Sequence, residues 1–249
     1  MSFEFRFVFQ TLIFVCGQYH QTNVESTIER STAANVRRGM TRYLFLIVDF
    51  SKSMNANDMK PSRWAVVEKN IENFIRDYFD QNPLSHLGVI ICRNGVAEKI
   101  TELSGNANHH IEELKKQSKK IEGELSLQNA LTVANTSLSF VPTYGTREVL
   151  FIVGSLTSCD PGDIFQKIDE LKKNLVAVSI IGFQAEVYIY RAICEATLGK
   201  YIVAISEDIF HDAIMSHSPP PPTKLIEPAL VPMGFPQRKK DSHWSFCVW

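Results

Sequence analysis

The sequence predicts an α/β fold, a doubly wound and mostly parallel sheet with one antiparallel edge strand. Three observations carry that expectation. Apolar runs such as "YLFLIV" recur through the middle of the chain, as strands buried on both faces require. Segments with apolar residues at helical spacing separate these runs, which is the alternation of parallel βαβ units. One hairpin signal, Asn94-Gly95, supplies an antiparallel pair.

The elements follow in order from residue 43. The first strand, 43–48, runs into Asp-x-Ser-x-Ser at Asp49, Ser51 and Ser53. Pro61 and Ser62 open a helix whose Val67, Ile71, Phe74, Ile75 and Tyr78 share one face, and Asn82-Pro83 ends it. "HLGVIICRNGVAEKITEL" reads as a hairpin, because Asn-Gly adopts the positive φ values of a tight type I′ turn. Its second strand, 96–101, alternates with charges and belongs at an edge. "NHHIEELKKQ" forms a short polar-faced helix. Ser126 begins another, with Leu127, Ala130, Leu131, Ala134 and Leu138 at helical spacing. Three further buried strands, "EVLFIVGSL", "LVAVSIIGF" and "YIVAIS", alternate with helices at 161–173, 186–198 and 207–217.

Composition sets the outer limits. Of 249 residues, 26 are Lys or Arg and 27 Asp or Glu, so the net charge of -1 offers no electrostatic case for direct nucleic-acid binding. The five cysteines include no pair at zinc-site spacing and are odd in number, which reads as free, mostly buried thiols. "FRFVFQTLIFVCG" has the apolarity of a signal peptide, but Glu4 and Gln10 interrupt the pattern, and it is too short to span a bilayer. Residues 1–36 are left as an unassigned extension, and the folded domain is expected at 37–217. Seven of the 11 prolines lie between Pro219 and Pro236, so 218–249 reads as a Pro-rich linker and irregular tail.

Ligands of doubly wound sheets sit beyond the C-terminal ends of the strands, where Asp49 lies. A carboxylate and two hydroxyls at alternate positions are the oxygen donors a hard cation such as Mg²⁺ takes. The competing reading is a loop braced by side-chain hydrogen bonds to its own backbone. His109 and His110 point in different directions on a helix and are assigned to the surface. His211 and His217, six apart, are poorly spaced for chelation. Cys159 lacks a neighbouring base that would lower its pKa, so no catalytic nucleophile is assigned. No phosphate-binding Gly-x-x-x-x-Gly-Lys-Ser/Thr loop occurs, and the chain is expected not to be an enzyme.

A buried strand ending in Asp-x-Ser-x-Ser, with alternating helices and one antiparallel edge strand, resembles a von Willebrand factor A domain. In that fold the motif begins a metal-ion-dependent adhesion site, completed by a Thr from a second loop and an Asp from a third. Here "GELSLQNAL" offers Ser126, while "FIVGSLTSCD" places Ser155 or a neighbour where Asp is expected and leaves Asp160 as a loop or helix-cap residue. The resemblance thus gives a degraded metal site of Asp49, Ser51, Ser53 and Ser126, and no bound Mg²⁺ is expected.

The words "RRGMTRYLFLIVDFSKSM", "DMKPSR", "RDYFDQNPLSHLGVI", "AEKITELSGN", "REVLFIVGSLTSCDP", "VSIIGFQAEV", "SPPP" and "PMGFPQ" occur in order. Together they are similar to the A domain of the Ssl family, core subunits of the transcription and repair factor TFIIH. The resemblance runs from about residue 37 to 237. It implies a non-catalytic nuclear regulator that binds and stimulates the XPD helicase in nucleotide excision repair and supports RNA polymerase II initiation. It also implies contacts with other TFIIH core subunits, and neither sequence-specific nucleic-acid nor membrane binding. The family's zinc modules follow "MGFPQ", whereas this sequence continues with "RKKDSHWSFCVW", so no zinc cofactor is expected. Loops 49–58, 123–126 and 155–163, with Asp49, Ser51, Ser53, Asp58, Ser126, Ser155 and Asp160, are the expected partner-binding elements. The alternative is a secreted, Mg²⁺-dependent adhesive A domain.

Overall fold

The computed structural model describes residues 41–221, except 119 and 143. Both the expected N-terminal extension and nearly all of the Pro-rich tail lie outside the described residues. Six strands form one sheet: β1 (Arg42–Asp49), β2 (His86–Arg93), β3 (Val96–Ser104), β4 (Thr146–Val153), β5 (Val176–Phe183) and β6 (Tyr201–Ala204). Their order is β3-β2-β1-β4-β5-β6, parallel throughout except for the β2–β3 hairpin. The described helices are α1 (Arg63–Gln81), α2 (Ala107–Gln117), α3 (Leu127–Ser139), α4 (Ile164–Lys173), α5 (Tyr188–Ala196) and α6 (Glu207–Met215), and a 3₁₀ turn spans Lys52–Asn55.

The period of two in β1 divides the core. Leu44, Leu46 and Val48 face α1, α2 and α6, packing with Val67, Phe74, Ile111 and Phe210. Tyr43, Phe45 and Ile47 face α3, α4 and α5, packing with Leu131, Leu138, Ile168 and Ile193. All eight residues of β1 are buried, so it is the shared wall of both layers. Each large apolar side chain so enclosed contributes about 1.5–3 kcal/mol.

The elements agree with the sequence reading, with corrections at their ends. Asp163 caps α4 by accepting from the Phe165 amide, so that helix starts at Ile164 and not at 161. The edge strand runs on to Ser104 because its far end is fastened by a histidine. His110 is fully buried, contrary to its assignment to the surface. Its Nδ1 lies 2.8 Å from Thr101 Oγ1 and its Nε2 3.0 Å from Ser104 Oγ. Thr101 Oγ1 in turn accepts from the Val89 amide at the β2–β3 register shift. The helical rotation that separates the two histidines sends His109 to solvent and His110 against the sheet.

At the opposite end of β1, Arg42 is buried and grips Glu148 of β4 through Nε (3.0 Å) and Nη2 (2.8 Å). It also donates to the carbonyls of Ser218 (2.7 Å) and His217 (3.0 Å), and stacks over the Tyr78 ring. The residues just after α6 are thereby clamped to the start of the sheet. Burial, with the nearby charges of Lys200 and Arg42, lowers His217 to a pKa of about 4, against the partial opposition of Glu148. The unfolded chain binds a proton here near pH 6.5 and the folded one does not, so stability falls as pH drops from about 6.5 to about 4. Chemical denaturation across that window is expected to show a loss on the order of 3 kcal/mol from this group, and His217→Gln to flatten the slope.

Candidate functional site

β1 ends in the middle of the sheet, so the loops after β1 and β4 and the segment before α3 converge there. Asp49 lies at the base of this cluster and is fully buried. Its Oδ1 accepts from the Ser51 amide (2.8 Å), and its Oδ2 from the amides of Gly154 and Ser155 (both 3.0 Å). Burial raises the Asp49 pKa, and hydrogen bonds from Ser51, Gly154 and Ser155 oppose that rise. Above it three hydroxyls form a chain: Ser51 and Ser155 share a bond of 2.7 Å, and Ser155 donates to Ser53 at 3.2 Å. Tyr190 of α5 donates to the Ser155 carbonyl from the other side (2.9 Å).

Arg63, at the first position of α1, completes the arrangement. It is buried, donates through Nη1 to the carbonyls of Ser53 (2.8 Å) and Gly154 (3.1 Å), and forms a fork with Asp58 at 3.1 and 2.6 Å. One guanidinium therefore binds the first loop to the third. That fork holds the Asp58 carboxyl below the ordinary range. The sequence reading missed Arg63, although a signal was present. A cation in the first turn opposes the helix dipole, so its placement there calls for local acceptors.

The sequence-predicted residues divide into two groups. Asp49, Ser51, Ser53 and Ser155 meet as one cluster, with Asp58 attached through Arg63. Ser126 turns away: its hydroxyl accepts from Asn129 at the start of α3 and donates to Asp160 (3.1 Å). Asp160 also accepts from the Gln128 amide (2.8 Å), so it is a helix-cap residue as expected, but of α3, the helix preceding it in sequence. Backbone bonds stitch the loops further, from Lys52 to Gly123 (3.1 Å), Glu122 to Phe50 (2.9 Å) and Cys159 to Leu125 (2.8 Å). Asp49, Ser51, Ser126 and Ser155 are buried, so these side chains hold the loops from beneath and do not reach the surface. The outer surface shows Lys52, Asp58, Glu124, Leu156 and Asp163.

Comparison with known proteins places this arrangement. The Ssl1-like family model matches residues 47–236. The chain belongs to the Ssl1-like family. General transcription factor IIH subunit 2 of Dictyostelium discoideum is 49% identical over 214 residues, covering 86% of this chain and 46% of the relative. The general transcription and DNA repair factor IIH subunit ssl1 of Schizosaccharomyces pombe is 38% identical over 245 residues, covering 96% and 58%. This Ssl1-like chain thus spans about half the length of the curated relatives it matches. Among solved structures, the SpRpn10 VWA domain superposes with a TM-score of 0.57 at 16% identity, covering 68% of this chain and 93% of that one. The TFIIH p34 N-terminal domain gives 0.55 at 13% identity, covering 71% and 98%. These two share the von Willebrand factor A fold.

The metal that this fold implies finds a poor set of donors in the Ssl1-like chain. Mg²⁺ takes oxygens in near-octahedral geometry and favours carboxylates. The cluster holds one buried carboxylate, with both oxygens already accepting backbone N–H groups, and three hydroxyls bonded to one another. Arg63, paired with Asp58, already bridges the first and third loops through their carbonyls. The donors do not fit a resident divalent ion. Cys159 is exposed and donates to Glu124 (2.6 Å), which raises its thiol pKa and makes it a weak nucleophile.

Two outcomes follow from this geometry. Arg63→Met leaves the Ser53 and Gly154 carbonyls without their donor and is expected to cost about 3 kcal/mol in urea denaturation. Added Mg²⁺ or EDTA should leave the wild-type midpoint unmoved. Separately, Glu124→Gln is expected to speed iodoacetamide labelling of Cys159 at pH 8, read by peptide mass spectrometry.

Proposed function

We propose that this chain is a non-catalytic regulatory subunit of a TFIIH-type transcription and DNA repair factor, acting in the nucleus with other core subunits of that complex. The observation that carries the reading is the Ssl1-like match over residues 47–236, joined by relatives named as TFIIH subunit 2 or ssl1. The finer reading is that it binds the XPD helicase and stimulates it in nucleotide excision repair, and supports RNA polymerase II initiation.

The site's chemistry supports a binding role. The Ser51, Ser155 and Ser53 hydroxyls bond to one another, with no histidine in their chain, and the exposed thiol is paired with an acid. What the cluster supplies is rigidity, since it holds three loops in one arrangement before any partner arrives. A pre-organised surface loses little conformational entropy on binding. Stimulation then requires that this surface bind the active state of the helicase more tightly than the inactive one.

The test is unwinding by purified XPD with and without the full chain, repeated with chain treated with EDTA and desalted. Stimulation surviving that treatment is the expected result, and no stimulation by either preparation would overturn the reading. A triple change of charge across the loops, Lys52→Glu, Glu124→Lys and Asp163→Asn, the last retaining a capping side chain for α4, should weaken binding by about tenfold or more while circular dichroism stays unchanged. Unaltered affinity would remove these loops from the interface.

A further inference from the structure

The opposite pole of the domain carries a feature that folding does not explain. Three helices on one face of the sheet, α3, α4 and α5, end side by side there before β4, β5 and β6. Each end presents a large apolar side chain to solvent: Phe140 is 84% exposed, Leu175 75% and Leu198 69%, and Tyr144, in the turn between α3 and β4, is 71% exposed. Leu175 and Leu198 also have positive φ, 54° and 60°. Both occupy the position just past the helix cap, which glycine usually fills because a side chain there is strained. At the end of α5 the turn is complete, with Gly199 donating to Cys194 (2.9 Å) and Leu198 to Glu195 (3.5 Å). Two leucines thus accept an unfavourable backbone conformation and exposure to water together, and neither packs into the core in return.

The surface around them is built. Arg147 donates to the carbonyls of Val141 (2.7 Å) and Asn174 (3.1 Å), tying the ends of α3 and α4 together. Asn174 adds a side-chain bond to Asn135 of α3 (2.8 Å). Its unpaired charge is mainly positive. Lys172 and Lys173 end α4, and Lys200 follows α5; all three are exposed, and none is ion-paired among the described residues. Among the carboxylates near this pole, Glu148 pairs with Arg42, Glu170 pairs with Lys167 and Asp169 lies a turn before the end of α4; Glu195, the penultimate residue of α5, is exposed, and the three lysines outnumber it.

We propose that this pole, distinct from the strand-end loops, is a docking surface for an acidic protein segment anchored by apolar side chains. Phe140, Tyr144, Leu175 and Leu198 form its apolar centre, and Lys172, Lys173 and Lys200 form a rim that selects Asp and Glu. Strain held in exposed residues has its use in presenting those side chains outward.

The full chain is used to select from short random peptides displayed on phage, and selected peptides are measured against two variants. Peptides rich in Asp and Glu beside aliphatic or aromatic residues are the expected class. Their affinity should fall about tenfold or more for Leu175→Gly/Leu198→Gly and for Lys172→Glu/Lys173→Glu/Lys200→Glu, and fall as salt rises. The glycine variant should melt higher than wild type, by about 2–4 °C, because the strain is relieved. That gain separates a binding role from a structural one. Peptides without acidic bias, undiminished binding to either variant, or a lower melting midpoint for the glycine variant would overturn the proposal. So would sedimentation of the wild type as a dimer and of the glycine variant as a monomer, since the occupant would then be a second copy.

Discussion

Everything at the strand-end face depends on burying one carboxylate. A strand enclosed on both faces has to end, and here it ends in Asp49 below the reach of water. A charge in that position is costly unless its lone pairs are filled. The fold fills them with three main-chain N–H groups, two of which belong to the loop after the neighbouring strand. The same bonds that satisfy the acid therefore set the path of that loop, and the path of the loop places Ser155 between two other hydroxyls. Arg63, its charge met by Asp58, then ties the carbonyls of the same loops together. Hydrogen-bond satisfaction and loop position are one requirement here.

The sheet was legible in the sequence because buried parallel strands are continuous apolar runs, and β1, β4 and β5 are such runs. The Asn94-Gly95 turn was equally plain, since few dipeptides tolerate positive φ. Element ends were less so: the start of α4 depends on which acid turns to cap it, a choice made by loop packing. The site was half legible. Asp49, Ser51 and Ser53 announce themselves by spacing, yet their meeting with Ser155 rests on strands separated by about a hundred residues in the chain. Arg63 and His110 were misjudged or missed for a common reason. A charged or polar residue on a helix reads as exposed until a partner from another element is seen to receive it.

The two ends of the sheet differ in kind. At the strand C-terminal end, polar side chains are spent on one another, and the outward surface is shaped by loops held from beneath. At the other end, three helix termini leave apolar side chains uncovered within a basic border. The relatives that share this family are named as subunits of general transcription factor IIH.

The Arg42 clamp also has a mechanical meaning. The chain enters the sheet at Thr41 and leaves the last helix at Ser218, and one guanidinium holds both places to Glu148. Tension applied between the incoming and outgoing chain is therefore taken up by this group of short bonds, loaded together, before any of it reaches the strands.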